Sequence, residues 1–145
     1  MLNQDFSEFV ESLNANGVRY LVVGGYAVAV HGHPRYTKDL DIWIEPEAAN
    51  TERMIKALDA FGFASLGITA ADFLVPDQIV QLGYPPARID LLTSVPGVDF
   101  ATCYLRRIQV TLGSVVADVI DLDGLRQAKA ASGRPQDLAD LDALD

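Results

Sequence analysis

Hydrophobic positions along the chain change period several times, and each change marks an element. Phe6, Phe9, Val10 and Leu13 recur at helical spacing, and Asn16-Gly17 stops that helix. Residues 18–23 are almost continuously apolar, as suits a strand buried on both faces. Residues 26–30 read as a short helix closed by His31-Gly32. Pro34 forces an extended or turned path just before Arg35. Residues 39–44 form a second strand. Pro46 then opens a helix at its favoured first turn, with Met54, Ile55, Leu58 and Phe61 as the buried stripe and Gly62 as its end.

Residues 69–73 read as a short helix. Residues 78–82 and 88–92 read as two strands joined by the turn Gly83-Tyr84-Pro85-Pro86. Residues 107–112 and 115–120 make another hairpin around Gly113-Ser114. Asp121 or Asp123 caps a helix through Ala130. Gly133 breaks the chain, and Pro135 opens a last helix with Leu138, Leu141 and Leu144 on one face. These elements predict a single α/β (α+β) domain over residues 1–145. Its sheet is mixed and partly antiparallel, of about five strands, with helices mainly on one face.

Composition narrows this picture. A chain of 145 residues, half of them hydrophobic, suffices for one real core. The 21% of charged residues argues against disorder. A net charge of −9 makes a poor general binder of nucleic acid, though it leaves room for a local basic patch. The single cysteine, Cys103, excludes an internal disulfide and a multi-cysteine zinc site, and reads as a small buried apolar residue. No apolar run is long enough to span a membrane, and Met1-Leu2-Asn3-Gln4-Asp5 lacks the regions of a signal peptide. A cytoplasmic protein is the expectation.

The chemistry concentrates where the first strand meets Gly24-Gly25 and the second begins with Asp39-Leu40-Asp41-Ile42. Strand side chains alternate, so Asp39 and Asp41 share a face that Leu40 and Ile42 do not. Carboxylates at that spacing suit divalent cations and phosphoryl chemistry. Paired glycines before a helix let a phosphate approach the backbone. Asp-Leu-Asp also occurs at 121–123 and 140–142, so the tripeptide alone says little. Capping explains Asp121 and Asp123. Asp140 and Asp142 sit two apart on a helix and face different ways. A third carboxylate comes from Asp90, a lone acid in the apolar strand Arg88-Ile89-Asp90-Leu91-Leu92. The other reading of that strand is a surface pair of Arg88 with Asp90.

The glycine pair, a thirteen-residue gap, Asp39-x-Asp41 and the later strand Asp90 resemble the DNA polymerase beta-type nucleotidyltransferase superfamily. The segment from His31-Gly32 to Ile42 and the strand around Asp90 resemble its small prokaryotic members, including minimal nucleotidyltransferases and the AbiEii-type toxin group. The tail Lys129-x-x-x-Gly133-Arg134-Pro135-x-Asp137-x-x-Asp140 is similar to one common in these proteins. The resemblance implies the nucleotidyltransferase fold and a metal-dependent transfer. A nucleoside monophosphate moves from a nucleoside triphosphate such as ATP to an acceptor hydroxyl, and pyrophosphate leaves. It implies two Mg²⁺ ions, with Mn²⁺ as a substitute, held by Asp39, Asp41 and Asp90, with Asp90 on the acceptor side.

Gly24 and Gly25 would present backbone N–H groups to the phosphates. Arg35 and Lys38 are further candidate phosphate contacts, Arg as a fork and Lys as a point charge; each also reads as a solvated loop charge. Thr37 is a candidate in the same loop, or simply fixes a turn. Lys129 is a candidate triphosphate or base contact, or a solvated helix-end lysine. His31 and His33 read as ordinary loop histidines. Trp43 shares the face of Asp39 and Asp41 and reads as packing. The implied acceptor is a tRNA end, a protein hydroxyl or a small molecule, and a partner chain or homodimer would complete the cleft. A toxin–antitoxin or modification system fits the resemblance. The rival reading is a non-catalytic nucleotidyltransferase-fold partner of antitoxin type.

Overall fold

The almost unbroken apolar run becomes the middle of the sheet. The computed structural model describes residues 4–32, 39–63, 66–83 and 88–144. Six strands, β1 (Tyr20–Val23), β2 (Leu40–Ile44), β3 (Ile79–Leu82), β4 (Ile89–Leu92), β5 (Ile108–Leu112) and β6 (Val115–Val119), form one sheet in the order β3-β4-β2-β1-β6-β5. β1 pairs antiparallel with β2 and parallel with β6, and β2 pairs parallel with β4. The two hairpin partners β3 and β5 pair antiparallel at the edges. Every residue of β1 is buried, which is why its sequence shows no alternation. Each segment with strand character in the sequence supplies one strand, so the sheet has one more than about five.

The helices are α1 (Gln4–Ala15), α2 (Gly24–Val30), α3 (Ala48–Phe61), α4 (Phe100–Leu105), α5 (Leu122–Ser132) and α6 (Pro135–Leu144), with a 3₁₀ turn at Ala70–Phe73. The stripe Phe6, Phe9, Val10 and Leu13 of α1 is fully buried. α1 meets the sheet through Asn14, which accepts from the Tyr20 hydroxyl and donates to the Val116 carbonyl. It meets α3 through Ser12, which donates to the Ala57 carbonyl. The register puts Tyr20, Val22, Ile42, Leu40, Ile89 and Leu91 on the face that this layer covers. Buried Asn50 ties the layer to the strand ends: it accepts from the Arg19 amide and donates to the Arg19 and Glu45 carbonyls.

The opposite face carries Asp41, Trp43 and Leu92. There Phe100 of α4 meets Trp43 edge to face at 5.2 Å, and α5 turns Leu125, Ala128 and Lys129 inward. Several boundaries differ from the sequence reading. Glu47 is the cap of α3, accepting from the amides of Ala49 and Asn50, so Pro46 lies before the helix rather than in its first turn. Gly62 ends α3 at φ 102°, which favours glycine. α2 begins at Gly24 itself. α4 gives no periodic signal because it has only six residues, and Asp99 caps it. Asp121 is the cap of α5. In α6 the buried residues are Asp137, Asp140 and Leu144, while Leu138 is about half exposed, so the inward face is not the leucine stripe.

Candidate active site

β1 ends and α2 begins without a connecting loop, and that junction fixes the local geometry. Gly24 sits at φ +69°, and a Cβ there would overlap the Asp41 carboxylate. The strand can therefore turn into the helix directly over Asp41 only with glycine at this place. Asp41 is opposite Val23 on β1 and in register with Asp90 on β4. Neighbouring strands are about 4.8 Å apart, so the two carboxylates are held side by side by the backbone alone. Asp39 lies one residue before β2, two positions from Asp41, and joins them through Arg88.

Arg88 is the residue that sequence reasoning undervalued. Its Nε donates to Asp90 Oδ1 at 2.9 Å, and its Nη2 donates to Asp90 Oδ2 at 3.2 Å and to Asp39 Oδ2 at 3.0 Å. The Arg88–Asp90 pair seen in the sequence as an alternative does form, and the strand that bears it also lies beside Asp41. An oppositely charged neighbour two positions away was the available signal: an arginine beside these acids has a clear electrostatic task.

Among the described residues Asp41 has no such partner. Burial, then the charges of Asp90 and Asp39, push its pKa up to about 7, with Lys129 and Arg88 pulling weakly the other way. The donor set is all oxygen, which suits a hard divalent cation, and the raised Asp41 pKa marks a local excess of negative charge that a cation would relieve. As the side chains stand, no three His, Cys, Asp or Glu groups among the described residues converge on an ion. Arg88 links Asp39 to Asp90. The chemistry of the set fits a divalent cation, provided that the carboxylates turn from Arg88 toward it.

A cleft of about 460 Å³ runs from Val23, Gly24 and Asp41 to Lys129, Arg134 and Asp137, with Ile79, Leu92, Val95 and Pro96 along its apolar side. A smaller recess joins Gly24, Gly25 and Asp41 to Lys129, Arg134 and Asp137. Lys129 is buried rather than solvated. Its Nζ donates to Asp137 Oδ1 at 2.9 Å and to Asp140 Oδ2 at 3.0 Å. Burial raises the Asp137 pKa, but hydrogen bonds from Ser132, Arg134 and Lys129 outweigh it and bring the value down to about 2. Gly133, at φ +67°, makes the turn that folds α6 back so that these groups meet.

Of the sequence candidates, Gly24, Asp41 and Lys129 border this cleft, Gly25 borders the recess, and Asp39 and Asp90 flank Asp41 on the sheet. Arg35, Thr37, Lys38 and His33 lie outside the described residues. His31 donates from Nε2 to the Ile120 carbonyl at 2.8 Å, a link between α2 and the end of β6. Trp43 is buried in packing, and its Nε1 has no hydrogen-bond partner among the described residues.

No protein-family profile matches the chain, and no curated protein matches it. Solved structures do. The crystal structure of a candidate nucleotidyltransferase from Thermotoga maritima superposes with a TM-score of 0.61 at 14% identity, over 94% of this chain and 87% of that one. An antigenic nucleotidyltransferase-like protein from Paracoccidioides brasiliensis superposes with a TM-score of 0.55 at 13% identity, over 95% of this chain and 72% of that one. At these identities the likeness is one of fold, and the fold is that of nucleotidyltransferases.

Proposed function

We propose that this protein is a metal-dependent nucleotidyltransferase, a small member of the DNA polymerase beta-type group. It would move a nucleoside monophosphate from a nucleoside triphosphate to an acceptor hydroxyl, with release of pyrophosphate. The observation that carries this reading is the register of Asp41 with Asp90 beneath a glycine that only glycine can occupy. A plain structural domain has no need to hold an unpaired, half-buried carboxylate against two more.

Asp39, Asp41 and Asp90 would hold two Mg²⁺ ions, with Mn²⁺ as a substitute; bound there, the metal supplies charge neutralisation of the triphosphate and acidifies the acceptor hydroxyl. The chain's own groups do the rest. The Gly24 and Gly25 backbone, which lines the recess beside Asp41, would face the phosphates. Asp90 serves the acceptor side. Arg88 restrains the mutual repulsion of Asp39 and Asp90 before substrate arrives. Arg35 and Lys38 are proposed phosphate contacts, with Thr37 shaping their loop, and Lys129 borders the triphosphate subsite. The work is then mostly positioning and electrostatic stabilisation. The acceptor class is a tRNA end, a protein hydroxyl or a small molecule, within a toxin–antitoxin or modification setting, and a partner chain or second copy would complete the acceptor side.

The second reading, a non-catalytic partner of antitoxin type, draws on Arg88, which already neutralises part of the acidic set. Asp41 weighs against it, since a silent fold gains nothing from a carboxylate with a pKa near 7. A label-transfer assay decides. The protein is incubated with Mg²⁺, each α-phosphate-labelled nucleoside triphosphate in turn and fractionated cell extract, with Asp39→Asn/Asp41→Asn as control. Label carried onto RNA, protein or a small molecule, and lost in the control, is the expected result. No transfer, together with no Mg²⁺-dependent nucleotide binding, would sink the enzyme reading in favour of the silent partner.

A further inference from the structure

Lys129 and Arg134 both border the cleft and the recess beside Gly24 and Asp41, yet their situations differ. Lys129 is buried, and its ammonium is shared between Asp137 and Asp140. Little of its charge is left for a ligand. The Arg134 side chain is 77% exposed. Only its Nε is engaged, donating to Asp137 Oδ2 at 2.7 Å and to Ser132 Oγ at 3.1 Å. Among the described residues neither terminal nitrogen has a hydrogen bond. Ser132 also donates to Asp137, so two mutually bonded groups hold the guanidinium through Nε and leave its outer nitrogens open.

That is the arrangement of a fork prepared for an oxyanion. A guanidinium fixed through Nε presents its two outer nitrogens at the spacing of two phosphate oxygens. Fixing it in advance removes the ordering cost that a long, exposed side chain otherwise meets on binding. Charge gives the same direction. A triphosphate approaching Asp39, Asp41 and Asp90 meets carboxylates that Arg88 only partly offsets, in a chain of net charge −9. An open cation on the facing wall is needed to hold it.

We propose that Arg134 is the phosphate fork of this cleft, recognising the terminal phosphates of the nucleoside triphosphate, and that Asp137 and Ser132 are its positioning residues. This rests on the nucleotidyltransferase reading and extends it to a residue with no role there. Lys129 keeps Asp137 in place from behind and acts at one remove.

Inorganic tripolyphosphate with Mg²⁺ is a probe that needs no knowledge of the base. Its binding is measured by calorimetry at two salt concentrations for the wild type, Arg134→Ala, Arg134→Lys and Asp41→Asn. Arg134→Ala should weaken binding about tenfold or more and flatten the salt dependence, because one charge-assisted contact is gone. Arg134→Lys should recover only part, since it restores charge without the fork. Positioning is read from a cycle: Asp137→Asn should weaken binding, and adding Arg134→Ala to it should cost little more. If Asp137→Asn does not fold, Ser132→Ala serves in the same cycle. Unchanged binding in Arg134→Ala, with loss in Asp41→Asn, would overturn the Arg134 assignment and leave the enzyme reading standing. A wild type that binds neither tripolyphosphate nor any nucleoside triphosphate would overturn both.

Discussion

Two groups of carboxylates border one cleft, and the protein treats them in opposite ways. Asp137 and Asp140 are almost wholly buried, yet each accepts a hydrogen bond from Lys129, and Asp137 has Ser132 and Arg134 as well. Its pKa falls to about 2 despite burial. Asp41 is less buried, yet among the described residues it has no direct cation, and burial together with Asp90 and Asp39 raises its pKa to about 7. Depth alone therefore does not decide the state of a carboxylate. Counter-charge does: the fold supplies it between α5 and α6, and on the sheet Arg88 gives it to Asp39 and Asp90 but not directly to Asp41. The first group behaves as structure. The second is left short of positive charge, the condition in which a ligand cation gains most.

The comparison breaks most visibly at Lys129. Lys129→Met should lower stability by about 3–5 kcal/mol, because it removes the buried cation that two buried carboxylates share. Urea denaturation at pH 7 measures it; a loss under 1 kcal/mol would mean that the triad is not a unit.

Asp41→Asn should act the other way. In chelator at pH 8 the variant should be more stable than the wild type by roughly 2–4 kcal/mol. The native Asp41 pKa lies above the unfolded value near 4, so the native state holds the extra proton between those two values. Its stabilising contribution is complete below about pH 4 and is lost as pH rises through about 7. The advantage of Asn should therefore vanish near pH 4, and a gap independent of pH would discard the account.

Asp137 carries the opposite sign. Its contribution is present above the unfolded value near 4 and disappears as pH falls through about 2. The wild type should lose about 2 kcal/mol from this group across that window, a loss that Asp137→Asn should not show.

The smallest effect belongs to Arg88→Gln. Its pairs are partly exposed, so the melting temperature in chelator should fall by much less than in Lys129→Met. Mn²⁺ should restore that loss, whereas it should leave the Lys129→Met deficit untouched.

Much of the sheet was legible because strand and helix periods are local properties. All six strand segments, the stripe of α1 and the glycine ends of α3 and α5 follow from residues a few positions apart. Two failures are equally instructive. α4 is a six-residue helix, too short for a period to show. By period Leu138, Leu141 and Leu144 share one face of α6, but of these only Leu144 is buried, and the helix also buries Asp137 and Asp140, which pair with Lys129. A polar residue is placed outward by rule unless its partner is known, and the partner here lies on the preceding helix.

The sequence by itself determined that Asp39 and Asp41 share a face, and that a glycine pair precedes them. A strand's period of two fixes the first without reference to the rest of the chain. Only the tertiary structure decided that β4 runs parallel beside β2 in the register that sets Asp90 against Asp41. It alone decided that Arg88 bridges Asp39 and Asp90, that Lys129 is buried, and that Arg134 is left open to the cleft. Pairing register and counter-charge depend on which distant segments come together, and spacing along one segment carries no record of that.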